Sequence, residues 1–260
     1  MGNTLVKLKT LIFDLDGTLA ETERDGHRVA FNRAFAEIGV DWHWDVALYG
    51  KLLAITGGKE RIRYYLDHYQ QDFRPPMALD KFIAELHQTK TRYYVELLEE
   101  QEIPLRPGVL RLLTLAREKG LQLAIATTTT PENVMALLRT SIGSHALDWF
   151  DCIAAGDVVR TKKPAPDIYD YCLQQLQREP AQCLAFEDSA NGVRAAVDAG
   201  IKVVVTVNDY TRDEDFTGAA LVLDHLGEPD QPCTVLSGDL EDFEYVDVAL
   251  LQRLHGENSV

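Results

Sequence analysis

The chain has 260 residues and a formal net charge of −15, from 41 acidic and 26 basic side chains. This length suffices for one domain with an insertion or for two domains, and in either case for a sizeable buried core. The acidic excess argues against a nucleic-acid surface, because binding to a phosphate backbone needs clustered Lys and Arg.

The termini and the cysteines predict a cytoplasmic protein. The residues before Thr10 are too few for a signal or transit peptide, and no stretch is long and apolar enough to cross a bilayer. The four cysteines lack the spacing of a metal site, so we expect reduced and mostly buried thiols. We also expect a monomer that binds no membrane.

The first predicted strand leads two carboxylates into a glycine turn. Apolar residues 11–13 precede Asp14 and Asp16, and Gly17 follows. Residues two apart in a strand point to the same face, so the carboxylates would converge if the strand continued. Two like charges this close need a shared proton or a hard divalent cation. A solvated turn explains the pattern equally well, because Asp-x-Asp-Gly is common in turns.

A helical stretch follows the first strand. Apolar side chains recur at helical spacing from Val29 to Ile38, and further helices are predicted over residues 59–69 and 79–100. Trp42 and Trp44 are expected to cover a cap helix rather than a ligand. The prediction divides the chain into a core domain, residues 1–20 and 103–260, and an inserted helical cap, residues 21–102.

Strands and helices alternate after the insertion. Strands are predicted at residues 121–126, 153–156, 183–186 and 202–207, and helices at residues 109–119, 132–141, 167–177 and 191–199. This alternation predicts an α/β fold, a doubly wound (Rossmann-like) parallel sheet with both faces covered. In such sheets, ligands bind beyond the carboxyl ends of the strands.

Acidic and hydroxyl side chains follow three of the predicted strands and should meet at one rim of the sheet. These side chains are Asp14 and Asp16, Thr127 and Thr128, and Glu187 and Asp188. Lys163 adds a cation. The joint pattern predicts a pocket with metal ligands, hydroxyl donors and one positive charge, and chance placement at three strand ends is a much weaker explanation.

In order and spacing, these motifs resemble those of the haloacid dehalogenase superfamily. Residues 14–18 are similar to its first motif, Thr127 to the second, Lys163 to the third, and residues 187–188 to the fourth. The helical insertion is similar to the cap of the subclass that includes β-phosphoglucomutase. Within that subclass the chain is most similar to the CbbY-like proteins, sugar-bisphosphate phosphatases associated with carbon-fixation genes. The segments that carry this similarity are residues 56–62, 126–129, 162–169 and 186–192.

The resemblance implies hydrolysis through an aspartyl phosphate. Asp14 would be the nucleophile that attacks phosphorus. Asp16 would protonate the leaving sugar oxygen and then take a proton from the hydrolytic water. The remaining phosphoryl oxygens would be held by Thr127, the Thr128 amide and Lys163.

The resemblance also implies a Mg²⁺ cofactor, which would explain how an acidic protein holds an anionic substrate. The ion would be bound by the Asp14 carboxylate, the Asp16 backbone carbonyl and Asp188. Glu187 would either contact the ion or support its ligands.

The cap is expected to select the substrate. Lys59 matches a basic cap residue that, in related enzymes, holds the phosphate that is not transferred. Glu23 and His27 lie in the linker and first cap helix, where this chain has one residue more before the histidine than the common spacing of the family. Arg61 and Lys90 are weaker candidates, because a charge on a cap helix often just faces solvent.

Several functions remain open on the residues alone. The resemblance favours a phosphatase that converts xylulose-1,5-bisphosphate to xylulose 5-phosphate, but ribulose-bisphosphate and hexose phosphates fit the same residues. A β-phosphoglucomutase-like mutase would use the same Asp14 and Asp16 and return the phosphoryl group to a bound intermediate. A non-catalytic phospho-receiver or binding module could also place acids at a sheet edge, but receiver domains are much shorter and carry no helical cap.

Overall fold

The computed structural model describes residues 6–100, 103–239 and 243–256. Its centre is a seven-stranded sheet. The strands are β1 (Thr10–Phe13), β2 (Gln122–Ala126), β3 (Cys152–Ala154), β4 (Cys183–Glu187), β5 (Lys202–Thr206), β6 (Leu221–Leu223) and β7 (Val235–Ser237). Their order across the sheet is β3-β2-β1-β4-β5-β6-β7, and only the β6–β7 pair is antiparallel among the described strands.

The central strand β1 is apolar along most of its length because both faces of the sheet are covered. Phe13 pairs in register with Ile125 of β2 and Phe186 of β4, so the three strands end at the same level. Phe13 belongs to the apolar cluster on one face, and Ile12 belongs to the cluster on the other. This alternation follows from the two-residue period of a strand.

Helices cover both faces of the sheet. On one face α5 (Val109–Glu118), α6 (Pro131–Ser141) and α9 (Val248–His255) pack against the strands, and on the other α7 (Asp167–Leu176) and α8 (Ala190–Asp198) do so. The predicted doubly wound α/β fold is therefore confirmed. Cys152, Cys172 and Cys183 are buried and all four cysteines are free thiols, as predicted.

The inserted helices pack around an apolar cluster of their own. They are α1 (Arg28–Glu37), α2 (Val46–Leu52), α3 (Gly58–Tyr69) and α4 (Leu79–Glu100). Trp44 is fully buried in this cluster, between Phe31, Phe35 and Tyr65. The predicted packing role of Trp42 and Trp44 is confirmed. We refer to these helices as the cap.

Two chain segments connect the cap to the sheet, and they run side by side. Ala20 on the outgoing segment forms an antiparallel bridge with Leu105 on the returning one. The Arg106 amide donates to the Leu19 carbonyl over 2.8 Å. Ala20 also forms a bridge with Asp16, so the connection is joined by backbone pairing to the turn after β1.

Four elements of the structure were not predicted. Helix α2 has only seven residues and contains Gly50, and it begins at Asp45, whose carboxylate accepts from the Leu48 amide. The others are β6, β7 and α9 in the C-terminal part of the chain. Their apolar segments are short and lie among acidic residues, so they give a weak sequence pattern. The sequence also predicts a solvated acidic segment from Asp239 to Asp247, and residues 240–242 of this run lie outside the described residues.

None of the described helices combines the length and the apolar character that a bilayer crossing requires.

Candidate active site

The turn after β1 brings the first two carboxylates to the rim of the sheet. The strand ends at Phe13, and the Asp14 amide donates to the Phe186 carbonyl over 2.9 Å. Gly17 adopts φ of +83°, and a Cβ atom there would lie 2.2 Å from Asp188 Oδ2. Only glycine fits this close approach. Because the chain bends here, Asp14 and Asp16 acquire different partners instead of sharing one strand face.

A cavity lies between this rim and the cap. From the core it is lined by Asp14, Asp16, Thr127, Thr128, Lys163, Asp188, Ser189, Asn191, Asn208, Tyr210, Thr211 and Glu214, and from the cap by Glu23, Leu53, Thr56 and Arg61. The structure thus brings the acids and hydroxyls that follow β1, β2 and β4 together with Lys163, which lies between β3 and α7. The rule for parallel sheets predicted that the three strand ends meet.

Three buried carboxylates form an acidic cluster around one lysine. Asp14, Glu187 and Asp188 each offer an oxygen within 4.8 Å of the others. Lys163 Nζ donates to Asp14 Oδ1 over 2.7 Å and to Glu187 Oε1 over 2.6 Å. Tyr169 also donates to Glu187 Oε1 through its hydroxyl. The single positive charge of Lys163 is therefore smaller than the negative charge of the three carboxylates when all of them are ionised.

Burial disfavours the ionised forms of two of these carboxyl groups. Burial raises the pKa of Asp14 to about 8, although the Lys163 ammonium acts in the opposite direction. Burial also raises the pKa of Asp188 well above its usual value, and the neighbouring Asp14 adds to the effect. A bound cation would favour the ionised forms of both groups.

The donor set of the cluster fits a hard divalent cation. Carboxylate oxygens are the ligands that such ions prefer. Glu187 Oε2 is buried and has no hydrogen-bond partner among the residues that the structure describes. The cluster of Asp14, Glu187 and Asp188 could therefore hold a metal ion.

Asn208 is a site residue that the sequence reasoning missed. Its Nδ2 donates to Asp188 Oδ2 over 2.7 Å, and its Oδ1 accepts from the Tyr210 amide over 2.9 Å. Asn208 lies just past the end of β5, so the same strand-end rule could have found it. The side chains expected at the strand ends were acids and hydroxyls, and an amide was not among them.

Asp16 faces the cap and is held by hydrogen bonds. Thr22 Oγ1 donates to Asp16 Oδ1 over 2.5 Å, and His27 Nε2 lies 2.9 Å from the same oxygen. Burial by itself would raise the pKa of Asp16, but the His27 ring and the Thr22 hydroxyl outweigh it and lower the pKa to about 2. The resting Asp16 side chain is therefore an anion.

Lys90 lies behind His27 and completes a buried row of polar groups. Lys90 Nζ is 2.5 Å from His27 Nδ1. Donation by the ammonium to Nδ1 assigns the ring proton to Nε2, which faces Asp16. Burial lowers the pKa of Lys90 to about 8, although Asp16 and Glu23 act in the opposite direction.

His27 ends a π-helical turn. Residues Glu23–His27 form this turn, which continues directly into α1. Such turns are rare and frequently lie at functional sites. His27 stacks on Tyr94 with ring centroids 3.9 Å apart and still reaches Asp16.

Glu23 and Arg61 meet at the cap side of the cavity through a residue that was not predicted. The Tyr49 hydroxyl donates to Glu23 Oε2 over 2.5 Å and accepts from Arg61 Nη1 over 3.1 Å. Tyr49 lies on α2. Because the sequence pattern did not predict this short helix, it did not indicate that Tyr49 would reach the site. Glu23 and Arg61 line the cavity, and the fully buried Tyr49 joins them from behind.

Lys59 lies outside the lining of this cavity. Its ammonium pairs with Asp157 of the core over 2.6 Å, and Lys162 pairs with the same carboxylate over 2.8 Å. These contacts lower the pKa of Asp157 to about 2. In contrast, Arg61 and Lys90, the weaker candidates, face polar space next to Asp16. The phosphate-binding role of Lys59 stays a prediction.

A second contact also joins the cap to the core. Asn191 Nδ2 donates to the Ala54 carbonyl over 3.1 Å and to Thr56 Oγ1 over 3.0 Å. Together with the Lys59–Asp157 pair, this contact holds the cap over the rim of the sheet.

Comparison with known proteins agrees with this geometry. A family model described as haloacid dehalogenase-like hydrolase matches residues 8–200. Protein CbbY of Cupriavidus necator is 48% identical over 225 residues, which cover 86% of this chain and 88% of that protein.

Solved structures extend the similarity to three dimensions. A crystal structure of CbbY from Rhodobacter sphaeroides in complex with phosphate has a TM-score of 0.78 and 48% identity, and covers 84% of this chain and 94% of that one. A mutant of that protein in complex with xylulose-(1,5)bisphosphate has the same TM-score and coverage at 47% identity. A β-phosphoglucomutase from Clostridium difficile, at 23% identity, shares the fold with a TM-score of 0.68 and covers 84% of this chain and 91% of that one.

Proposed function

The chain belongs to the haloacid dehalogenase-like hydrolases, and on that basis we propose that it is a Mg²⁺-dependent sugar-bisphosphate phosphatase that acts through an aspartyl phosphate. The protein is a phosphoric monoester hydrolase. We propose xylulose-1,5-bisphosphate as the substrate, with xylulose 5-phosphate and phosphate as products. The complex of the similar CbbY protein with xylulose-(1,5)bisphosphate supports this choice.

One observation carries the proposed mechanism: Asp14 and Asp16 face the same cavity in opposite electrostatic surroundings. Asp14 lies in the acidic cluster beside Lys163, and Asp16 lies beside His27. Two carboxyl groups in different environments can take different chemical roles. One can attack phosphorus while the other handles the proton.

Asp14 is the proposed nucleophile. The Lys163 ammonium fixes its carboxylate, which attacks phosphorus as the bond to the sugar oxygen breaks. Thr127 and the Thr128 amide line the cavity where the other phosphoryl oxygens would lie. Mg²⁺, held by the Asp14 carboxylate, the Asp16 carbonyl and Asp188, would supply positive charge against the negative charge of the phosphoryl group.

Asp16 is the proposed acid and base. A phosphoryl dianion beside Asp16 disfavours its ionised form and moves its pKa upward, so that it can carry the proton for the leaving sugar oxygen. Asp16 then accepts a proton from the water that hydrolyses the phosphoaspartate. His27 orients the carboxylate for both steps, because its Nε2 contacts Asp16 Oδ1.

The cap residues Glu23 and Arg61 would bind the sugar and its second phosphate. Glu23 offers an acceptor for sugar hydroxyl groups and Arg61 offers a cation, and the buried Tyr49 hydroxyl holds both side chains in place. Lys59 could join them only by leaving Asp157. The substrate phosphate would then compete with that carboxylate for the Lys59 ammonium.

A phosphate-release panel tests the proposed function. Purified protein with Mg²⁺ is assayed against five- and six-carbon sugar mono- and bisphosphates, and we expect the highest kcat/KM with xylulose-1,5-bisphosphate. Formation of an isomeric sugar phosphate without accumulating phosphate would instead identify a mutase. Release of phosphate in less than one equivalent per protein would indicate a phospho-receiver.

The Lys59–Asp157 pair gives a prediction about specificity. A charge-assisted contact contributes about 1.5 to 3 kcal/mol, which corresponds to roughly a 10- to 100-fold change in kcat/KM. If Lys59 holds the phosphate that is not transferred, Lys59→Ala should lower kcat/KM for the bisphosphate by about that factor. Hydrolysis of p-nitrophenyl phosphate should change little.

The matched control is Asp157→Asn, which removes the core partner of Lys59 and keeps the cap cation. Binding of the distal phosphate by Lys59 predicts normal or improved bisphosphate hydrolysis in this variant. If the ion pair only closes the cap, both variants should lose activity to the same extent. That outcome would remove Lys59 from the substrate site.

A further inference from the structure

Arg106 is a buried arginine in the segment that returns from the cap to the core. Only 6% of its side chain is exposed, and within the described part of the chain its one ion pair is with the half-exposed Glu21 over 3.0 Å. Burying a guanidinium with so little compensating charge costs free energy unless its N–H groups find other acceptors. Here backbone carbonyls provide those acceptors.

The guanidinium of Arg106 contacts carbonyl groups from three separate segments. Its Nη1 donates to the Gly17 carbonyl and, over 3.0 Å, to that of Thr206. Its Nη2 donates to the carbonyls of Val207 over 2.5 Å and Asp224 over 2.6 Å. An arginine presents five donors in a rigid planar fork, whereas a lysine offers three donors at a single atom.

Two of these segments approach the acidic cluster from different strands, one through Asp14 and the other through Asn208, which contacts Asp188. Gly17 closes the turn that contains Asp14 and Asp16. Thr206 and Val207 end β5 and lead directly to Asn208. Arg106 therefore connects the turn after β1 with the loop after β5, and no strand pairing joins those two segments directly because β4 lies between their strands.

Asn208 continues this connection to a proposed metal ligand. Its amide donates to Asp188 Oδ2, and the Thr211 hydroxyl accepts from its backbone N–H over 3.1 Å. The close approach of Gly17 to the side chains of Asp188 and Asn208 shows that the turn and the loop are in direct contact. A shift of either segment would move Asp188 relative to Asp14.

We propose that Arg106 is a positioning residue for the metal site, and that it acts by fixing the turn of Asp14 against the loop of Asn208, which orients Asp188. Arg106 is not among the residues that line the cavity, so it acts through the backbone and not on the substrate. The inference rests on the proposed Mg²⁺-dependent function. Residues that orient metal ligands typically change metal affinity by about 10- to 100-fold when they are replaced.

Arg111 provides a matched control within the same chain. It also binds backbone carbonyls, those of Val246 over 3.0 Å and Gly227 over 2.6 Å, and it pairs with Glu228 over 2.9 Å. It lies on α5, and neither it nor these partners line the cavity. Replacing Arg111 by lysine removes a similar carbonyl clamp without touching the segments around Asp14 and Asp188.

The test measures Mg²⁺ binding directly, by isothermal titration calorimetry in the absence of substrate. We expect Arg106→Lys to raise the Kd for Mg²⁺ by roughly 10-fold or more, whereas Arg111→Lys should leave it within about twofold of wild type by the same reasoning. Thermal unfolding of both variants reports the common structural loss. Asn208→Ala should also weaken Mg²⁺ binding, and its effect should not add fully to that of Arg106→Lys because both act through Asp188.

Each outcome bears on the proposal. An unchanged Mg²⁺ Kd in Arg106→Lys, or equal weakening in Arg111→Lys, would reduce Arg106 to a structural residue while phosphate release by the wild type still supported the proposed function. If Arg106→Lys does not fold, an unchanged Kd in Asn208→Ala overturns the inference independently. Wild-type protein that binds no Mg²⁺ would overturn both the function and this inference.

Discussion

Replacement of Asp14 by asparagine should reduce phosphate release by at least about 10³-fold, because the amide is a poor nucleophile and cannot form the acyl phosphate. The fold should be retained. Asparagine has nearly the same shape, and its side-chain oxygen can still accept from Lys163. The change also removes one of the three carboxylates of the acidic cluster, so we expect no loss of thermal stability in the absence of metal.

Steady-state phosphate release and thermal unfolding should be measured together for this variant. Asp198→Asn, an exposed carboxylate on α8, provides the control for the loss of one charge elsewhere and should retain wild-type activity. Activity of Asp14→Asn within tenfold of wild type would remove Asp14 from the nucleophile role. A large fall in the unfolding temperature would mean that the activity loss reports folding instead.

Removal of divalent cations should abolish turnover, and added Mg²⁺ should restore it. The three buried carboxylates have the Lys163 ammonium beside them, and the phosphate group of the substrate brings further negative charge to the site. A metal ion typically contributes several kcal/mol of charge stabilisation in such a site, which corresponds to about 10³-fold in rate. Ca²⁺ should not substitute, because its larger and looser coordination does not reproduce the octahedral geometry of Mg²⁺.

The measurement compares phosphate release in excess chelator, in the same chelator saturated beforehand with Mg²⁺, and after addition of each ion. The saturated chelator controls for direct inhibition by the chelating molecule. Full activity in excess free chelator would exclude a metal-dependent reaction. Equal activity with Ca²⁺ would instead mean that the acidic cluster needs only positive charge and not a defined coordination geometry.

The sequence predicted the rim of the sheet well because local chemistry and a general rule act together there. Buried strands are apolar, and parallel strands present their carboxyl ends on one side, so Asp14, Thr127 and Asp188 could be placed together without any long-range information. Asn208 obeys the same rule and was missed only because an amide was not among the expected side chains.

The cap side of the site could not be predicted to the same extent, because its geometry depends on tertiary packing. Tyr49 reaches Glu23 from a seven-residue helix with a weak local pattern. The partner of Lys59 is Asp157, which lies 98 positions away in the sequence. His27 contacts Asp16 from the end of a π turn, and no spacing rule for α-helices anticipates such a turn.

The positions of the tryptophans allow unfolding of the cap to be followed by fluorescence. Two of the three, Trp42 and Trp44, lie in the apolar cluster of the cap, and Trp149 packs against the core, beside Arg117. In a Trp149→Phe variant all indole emission would therefore come from the cap. Fluorescence would then follow the unfolding of the cap, while far-ultraviolet circular dichroism follows the whole chain. Transitions at different denaturant concentrations would show two separately cooperative units joined by the bridge between Ala20 and Leu105.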